Sequence, residues 1–137
     1  MKKNIRIGGA SGFWGDSYRA TSQLLKDDSL DFIVYDYLAE ITMSIMARAR
    51  AKNPDMGYAT DFTDNVIKQN IKRISDRGIK IISNAGGVNP EACAESIKKI
   101  ISAAGLNLKV MCITGDDLLA SVNSLKLSNF KEMFSDE

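Results

Sequence analysis

The feature that most constrains the fold is an alternation between short apolar runs and longer segments with helical periodicity. Four runs rich in β-branched residues end in Gly, Asn or Asp, and they predict strands at about 4–9, 31–36, 79–84 and 108–114. Strands that alternate with helices predict a parallel sheet covered on both faces. We therefore expect one α/β domain over residues 1–137, a three-layer sandwich of the Rossmann-like or flavodoxin-like kind with at least four strands.

The helical segments between these strands have recognisable boundaries, because polar caps favour helix starts while Gly and Pro favour helix ends. The boundary residues are Asp16 or Ser17, Pro54, Gly78, and Asn89 followed by Pro90. The tail 118–137 has helical spacing in places and is expected to be helical.

The connection lengths favour one strand order. About forty residues and two helices separate the second strand from the third, which is enough chain to cross over the first strand. We therefore favour the order 2-1-3-4, with 3-2-1-4 as the alternative. The favoured order would place the loops after strands one and three side by side, where ligands bind in open α/β sheets.

The composition excludes several classes of partner. Lys and Arg number 18 against 17 acidic residues, so no basic excess exists to bind nucleic acid. Neither a signal peptide nor a membrane span is evident, and the two cysteines suit a reducing compartment. We expect a cytoplasmic protein that binds neither nucleic acid nor membrane.

The chain contains no histidine, which limits its chemistry. A histidine-dependent triad or a histidine-ligated metal site cannot be built from it, and we expect no metal centre. Acid–base work must therefore fall to carboxylates, Lys, Tyr or Cys.

Two glycine-rich loops follow the first and third strands and lead towards helix N-termini, where free backbone N–H groups favour an anion. One interpretation is that they form a substrate or anion site; the other is that their glycines only allow tight turns. The candidate binding residues are Gly9, Ala10, Ser11, Gly12, Phe13 and Trp14 in the first loop, and Gly86, Gly87 and Asn89 in the second.

The first loop also matches a dinucleotide-binding pattern. Gly9, Gly12 and Gly15 have the spacing GxxGxxG, and Asp36 ends the second strand, where an acidic residue would bind ribose hydroxyls. However, Phe13 and Trp14 are bulky where a pyrophosphate needs close backbone approach, so NAD(P) is a disfavoured cofactor.

Polar residues at strand ends are the candidate catalytic groups. Asp36 is the first candidate for acid–base work, and Asn84 could polarise a carbonyl together with the amides of the second loop. Asp36 could instead cap the following helix. Asp116 could bind ligand or cap a helix, and Cys93 is a nucleophile candidate whose position structural packing explains better.

Four stretches resemble, in order and spacing, the acyclic terpene utilisation family AtuA: "GGASGFWGD", "DFIVYDYLAEITMSIMARARAKNPDMGYATDF", "GIKIISNAGGVNPEACA" and "VMCITGDDLL". The resemblance covers roughly residues 5–119 and corresponds to the N-terminal portion of the family. The resemblance implies a cytoplasmic protein that takes part in the catabolism of acyclic terpenoids, or in the catabolism of other carboxylates that are handled as thioesters.

The leading hypothesis is an enzyme domain or subunit acting on a small acid or acyl-CoA thioester by lyase or hydratase chemistry, with CoA entering as part of the substrate. The alternatives are an NAD(P)-binding oxidoreductase domain and a non-catalytic module completed by another chain. Because the fourth strand would leave an apolar edge, we expect a homodimer or a hetero-oligomer with a chain that completes the fold.

Overall fold

The computed structural model describes residues 4–126 and Phe134. Its sheet contains β1 (Ile7–Ser11), β2 (Phe32–Tyr35) and β3 (Lys80–Ser83). All pairs are parallel and the spatial order is β1-β2-β3, so β2 is the central strand. The register shifts between Gly9 and Ser11, which marks an irregularity at the end of β1.

The prediction of at least four strands is wrong for the described residues, whose sheet contains three. The favoured order 2-1-3-4 is also wrong, because β2 and not β1 occupies the centre; the alternative order 3-2-1-4 lacks its fourth strand. A crossover of given length can return on either side of a parallel strand, so connection length did not decide the order. Residues 108–114 form no strand, although Leu108 and Val110 pack against the core as alternate residues of a strand would.

Helical segments connect and follow the strands. They are α1 (Ala20–Leu24), α2 (Glu40–Lys52), a π-helical stretch (Phe62–Ile67) that continues into α3 (Lys68–Arg77), α4 (Pro90–Ala103), a 3-10 turn (Leu119–Ser121) and α5 (Val122–Lys126). The rest of the predicted helical tail, 127–133 and 135–137, lies outside the described residues. Within the described part of the chain, no helix combines the length and apolarity that crossing a membrane requires.

Several predicted helix boundaries are confirmed. Gly78 ends α3 in the left-handed conformation, with φ of 62°, which glycine adopts at little cost. Asn89 caps α4 by accepting the Ala92 N–H, and Pro90 occupies its first turn. The prediction that Asp16 or Ser17 caps the first helix is wrong, because α1 begins only at Ala20.

The helices cover one face of the sheet. Ile33, Tyr35 and Ala10 point into a single core cluster with the buried side of the π-helix, α3 and α4. The Tyr35 ring, for example, packs edge-on against Phe62 with ring centroids 5.2 Å apart. This face holds the buried apolar area that stabilises the domain.

The opposite face of the sheet, here called the open face, has no comparable cover among the described residues. Ile7 is 61% exposed and Ile82 is 53% exposed. The predicted three-layer sandwich is therefore wrong: the described chain forms two layers, one of sheet and one of helices. The open face consists of Ile7, Phe32, Val34, Lys80 and Ile82.

Candidate functional site

A polar cluster lies where the three strands end. Asn84 Nδ2 donates a hydrogen bond to Asp36 Oδ1 over 2.8 Å, and the Ser11 hydroxyl donates to the Asp36 backbone oxygen over 3.2 Å. The carboxyl ends of parallel strands meet at one edge of a sheet, which brings together residues 25 and 48 positions apart. The two predicted catalytic residues, Asp36 and Asn84, are thus in direct contact.

The orientation of the Asn84 amide is fixed. Its oxygen accepts the Tyr37 backbone N–H over 2.8 Å, so its nitrogen is the atom that faces Asp36. A flipped amide would place a donor against a donor at Tyr37 and an acceptor against the carboxylate. Asn84 therefore holds one carboxylate oxygen, Oδ1, in a defined place, while the Asp36 side chain stays exposed to solvent.

Alternation along β2 explains why Asp36 projects away from the core. Tyr35 and Tyr37 on either side of it are buried and pack against Phe62. Burial raises the pKa of Tyr35 to about 12, opposed by its hydrogen bond to Thr21. Burial, with smaller contributions from Asp61 and Tyr35, also raises the pKa of Tyr37, so both phenols stay protonated at neutral pH.

The interpretation of Asp36 as a helix cap is wrong. Helix α2 begins at Glu40 with Ala39 at its N-cap position, and the Thr42 hydroxyl accepts the Ala39 N–H over 2.7 Å. Asp36 thus lies outside the cap, and its side chain contacts Asn84 instead.

Trp14 lies beside a carboxylate that the sequence did not single out. Trp14 Nε1 donates to Asp61 Oδ1 over 2.5 Å, while the neighbouring Phe13 is 58% exposed. Asp61 immediately precedes the π-helical stretch, and 47 residues separate it from Trp14. Only the fold brings this pair together, since no local pattern marks an aspartate as the partner of a distant indole.

The first glycine loop already carries an internal carboxylate. Asp16 Oδ2 accepts the Gly12 N–H over 2.9 Å, in the position where an anionic ligand was expected. Gly9 leaves open space around it, whereas Ala10 is 4% exposed and packs in the core. A phosphate at this loop would have to displace a fixed negative charge.

The second glycine loop is a packed turn. The Gly87 N–H donates to the Asn84 backbone carbonyl and the Asn89 N–H donates to the Gly86 backbone carbonyl, so both backbone amides are already bonded within the loop. A Cβ at Gly86 would lie 2.9 Å from Pro90, and a Cβ at Gly87 would lie 2.2 Å from Met46 Sδ. The close packing explains why glycines stand here.

The expected proximity of the two glycine loops is also absent. They follow β1 and β3, and β2 lies between those strands. Two strand spacings amount to about 10 Å. The Asn89 side chain, besides capping α4, donates to the Pro54 and Met56 carbonyls and is 8% exposed. These contacts give Asn89 a structural role at the base of its loop.

The adjacent residues Asp116 and Asp117 have different surroundings. Asp117 pairs with Arg50 over 3.1 Å and accepts the Leu119 N–H, and these hydrogen bonds lower its pKa. Leu118 holds the N-cap position of the 3-10 turn, and Asp117, not Asp116, accepts the N–H of its first residue, Leu119; Asp116 is exposed.

The two cysteines differ in burial. Burial raises the pKa of Cys93 to about 12, which outweighs the effect of the helix N-terminus and leaves the thiol protonated. The apolar run around Cys112 predicts a buried side chain, but Cys112 is exposed because residues 108–114 form no strand.

Comparison with known proteins identifies the family. The family model described as "Acyclic terpene utilisation family protein AtuA" matches residues 5–137. The chain belongs to the AtuA family. No curated protein and no solved structure matches it significantly.

Membership of the AtuA family implies that this chain is involved in acyclic terpene utilisation. Three of the stretches that resemble AtuA supply the polar cluster: "GGASGFWGD" contributes Ser11, "DFIVYDY" contributes Asp36, and "IISNAGG" contributes Asn84. Three AtuA-like stretches therefore converge at one edge of the sheet.

Proposed function

We propose that this AtuA chain is an enzyme subunit that performs acid–base chemistry of the lyase or hydratase type on a small acid or acyl thioester of acyclic terpene catabolism. The supporting observation is the Asp36–Asn84 pair, in which the carboxylate is exposed and one of its oxygens is held by an amide of fixed orientation.

The pair divides the work of a hydration between two groups. Asp36 accepts a proton from a water molecule while the oxygen of that water bonds to the β-carbon of an α,β-unsaturated thioester. The π electrons move to the thioester carbonyl oxygen, which forms an enolate. The enolate collapses as its α-carbon takes the proton back from Asp36, so the product is the hydrated thioester and the carboxylate is regenerated. The reverse sequence eliminates water.

Asn84 has a second amide hydrogen besides the one that it donates to Asp36. That hydrogen is available to the oxygen of the substrate carbonyl, where negative charge develops in the enolate. The role needs no further donor from the second glycine loop, whose Gly87 and Asn89 N–H groups are already bonded.

Aromatic surface at the same edge suits the apolar part of such a substrate. Phe13 is exposed and Trp14 is partly exposed, with its indole nitrogen bound to Asp61. A fixed indole presents apolar area at little cost in side-chain entropy.

Dinucleotide binding is the second candidate, since β1 pairs directly with β2 and Asp36 ends β2, as that chemistry requires. Two contacts oppose it. The Asp16 carboxylate already accepts the Gly12 N–H that would bind a phosphate, and it repels a phosphate by its negative charge. Asn84 already donates to the Asp36 carboxylate that would bind ribose.

The test replaces Asp36 with asparagine. The new amide oxygen still accepts the Asn84 hydrogen bond, so the fold is retained while the base is lost. We expect turnover to fall by roughly a hundredfold or more. Asp76→Asn, a change at an exposed carboxylate in α3, is the matched control and should leave turnover unchanged.

The measurements are hydration of an unsaturated branched acyl-CoA and exchange of its α-protons in D₂O, followed by NMR. Equal turnover in Asp36→Asn and wild type would remove Asp36 from the mechanism. NADPH binding that quenches Trp14, without any effect of acyl thioesters, would favour the dinucleotide hypothesis instead. Binding of neither ligand class would favour a non-catalytic module.

A further inference from the structure

The open face is an unusual feature of a parallel sheet. Sheets built only from parallel strands almost always have both faces covered, because their strands are apolar on both sides. Here the helices cover one side, whereas Ile7 and Ile82 on the other are 61% and 53% exposed. Ile5, two residues before Ile7, is 66% exposed and extends the apolar strip.

The open face carries a cation, Lys80, at one end and a carboxylate, Asp36, at the other. At one end Phe32 pairs with Lys80, whose ammonium lies 5.5 Å from the centre of the Phe32 ring. The apolar pair of Val34 and Ile82 occupies the middle.

Asp36 ends the same face, because it lies two residues beyond Val34 and side chains alternate along a strand. Asn84 likewise lies two residues beyond Ile82, and its amide contacts Asp36. The cation and the candidate catalytic carboxylate are thus separated along the strand direction by four residues, or about 13 Å.

This arrangement is complementary to itself. A two-fold axis passing through the middle of the face exchanges its ends, so that the row with Lys80 on one copy meets the row with Asp36 and Asn84 on the other. An isologous interface requires this kind of pattern, in which one patch matches its own rotated image. The apolar middle would then be buried against its own copy.

We propose that two copies of this chain pack through their open faces about such an axis, and that Lys80 of each copy enters the Asp36–Asn84 site of the other. The dimer requires only the open face, whereas the role of Lys80 rests on the function proposed above. In the described residues of one chain, no Lys or Arg bonds to Asp36 or Asn84.

The partner's Lys80 supplies a positive charge that a carboxylate or thioester substrate can use. An ammonium near the substrate oxygen stabilises the negative charge that develops there, in addition to the Asn84 amide. Covering the open face also excludes water from one side of the site, which strengthens these interactions. The site is therefore completed by the second copy.

The first test measures association by sedimentation across a wide range of protein concentration, because a small interface binds weakly. We expect a reversible dimer in the wild type and a monomer in Ile82→Asp. Ile113→Asp is the matched control: its side chain is 89% exposed but lies outside the open face, so the dimer should persist. Circular dichroism establishes that each variant is folded.

Charge exchange tests the axis itself. Lys80→Asp places two acidic rows against each other and should weaken association at least tenfold, whereas Lys80→Asp combined with Asp36→Lys should restore it. A wild type that remains monomeric at every concentration overturns the proposal. A dimer lost in Ile113→Asp but kept in Ile82→Asp does so too, since it would place the interface in the C-terminal segment.

The second test measures activity by complementation. Lys80→Ala and Asp36→Asn should each be impaired, but a mixture forms heterodimers in which one site holds both native residues. Random pairing of dimers then returns about a quarter of wild-type activity. A dimer without complementation would refute the shared site, whereas an inactive wild type that dimerises as expected would refute only the proposed function.

Discussion

The turn after β3 depends on Gly87, and its replacement by alanine tests whether this loop is built for packing. Gly87 has φ of 54°, and a Cβ there would lie 2.2 Å from Met46 Sδ and 2.7 Å from the Gly57 oxygen. Met46 is 1% exposed, so its side chain has little room to withdraw. The Gly57 oxygen is backbone and accepts the Val88 N–H, so it cannot move without loss of that bond.

The expected destabilisation has two parts. A non-glycine residue in the left-handed region costs about 1–2 kcal/mol. Overpacking a close-packed site costs a further amount of about 1–3 kcal/mol. Gly87→Ala should therefore lower the free energy of unfolding by about 2–5 kcal/mol, a large share of the total stability of a small domain.

A second glycine isolates the steric part. Gly105 has a similar φ of 69°, but no heavy atom lies within 4 Å of its virtual Cβ. Gly105→Ala should lose only the backbone cost of about 1–2 kcal/mol. Urea unfolding followed by circular dichroism gives both values, and their difference measures the clash at Gly87.

Equal losses in the two variants would refute this reasoning, since they would show that the turn relaxes around the added methyl group. Full stability in Gly87→Ala with loss of acyl-thioester binding would also refute it, and would return the loop to the ligand site.

Two further predictions concern buried groups. Thr21→Val removes the 2.8 Å hydrogen bond to the Tyr35 hydroxyl and should lower the free energy of unfolding by about 1–2 kcal/mol. The double variant with Tyr35→Phe should lose less than the sum of the two single variants, because no buried hydroxyl is then left unpaired. Additive losses in urea unfolding would contradict this. The Cys93 pKa is raised from 9.0 to about 12 on folding, so its stabilising contribution is complete below pH 9 and is lost as the pH rises from 9 to 12. The loss is about 1.4 kcal/mol per pH unit. Between pH 8 and pH 10, the free energy of unfolding should therefore decrease less in Cys93→Ala than in the wild type. Equal decreases in the two proteins would show that burial does not raise the pKa of this thiol.

Local signals predicted the elements well where they act within a few residues. Gly78 ends α3 and Asn89 caps α4 because these effects need only the adjacent backbone. The prediction for α1 was wrong for a related reason: Asp16 reached back to the Gly12 amide, a competing local bond that sequence spacing did not separate from a helix cap.

The site was partly predictable. Asp36 and Asn84 each end an apolar run, and the carboxyl ends of parallel strands share one edge whatever their order, so their proximity followed once they fell on neighbouring strands. Asp61 was not predictable, because its contact with Trp14 joins the start of a helical segment to a turn 47 residues away.

The amino-acid sequence by itself determined the α/β alternation, most helix boundaries, the lack of histidine chemistry and, through its motifs, membership of the AtuA family. Only the tertiary structure decided the strand order, the lack of strand pairing at residues 108–114, and which sheet face carries the helices. The reason is physical: periodicity and caps are energies of neighbouring residues, whereas strand order depends on which crossover buries more apolar surface over the whole chain. The same global choice placed Asp36, Asn84 and Lys80 on one open face.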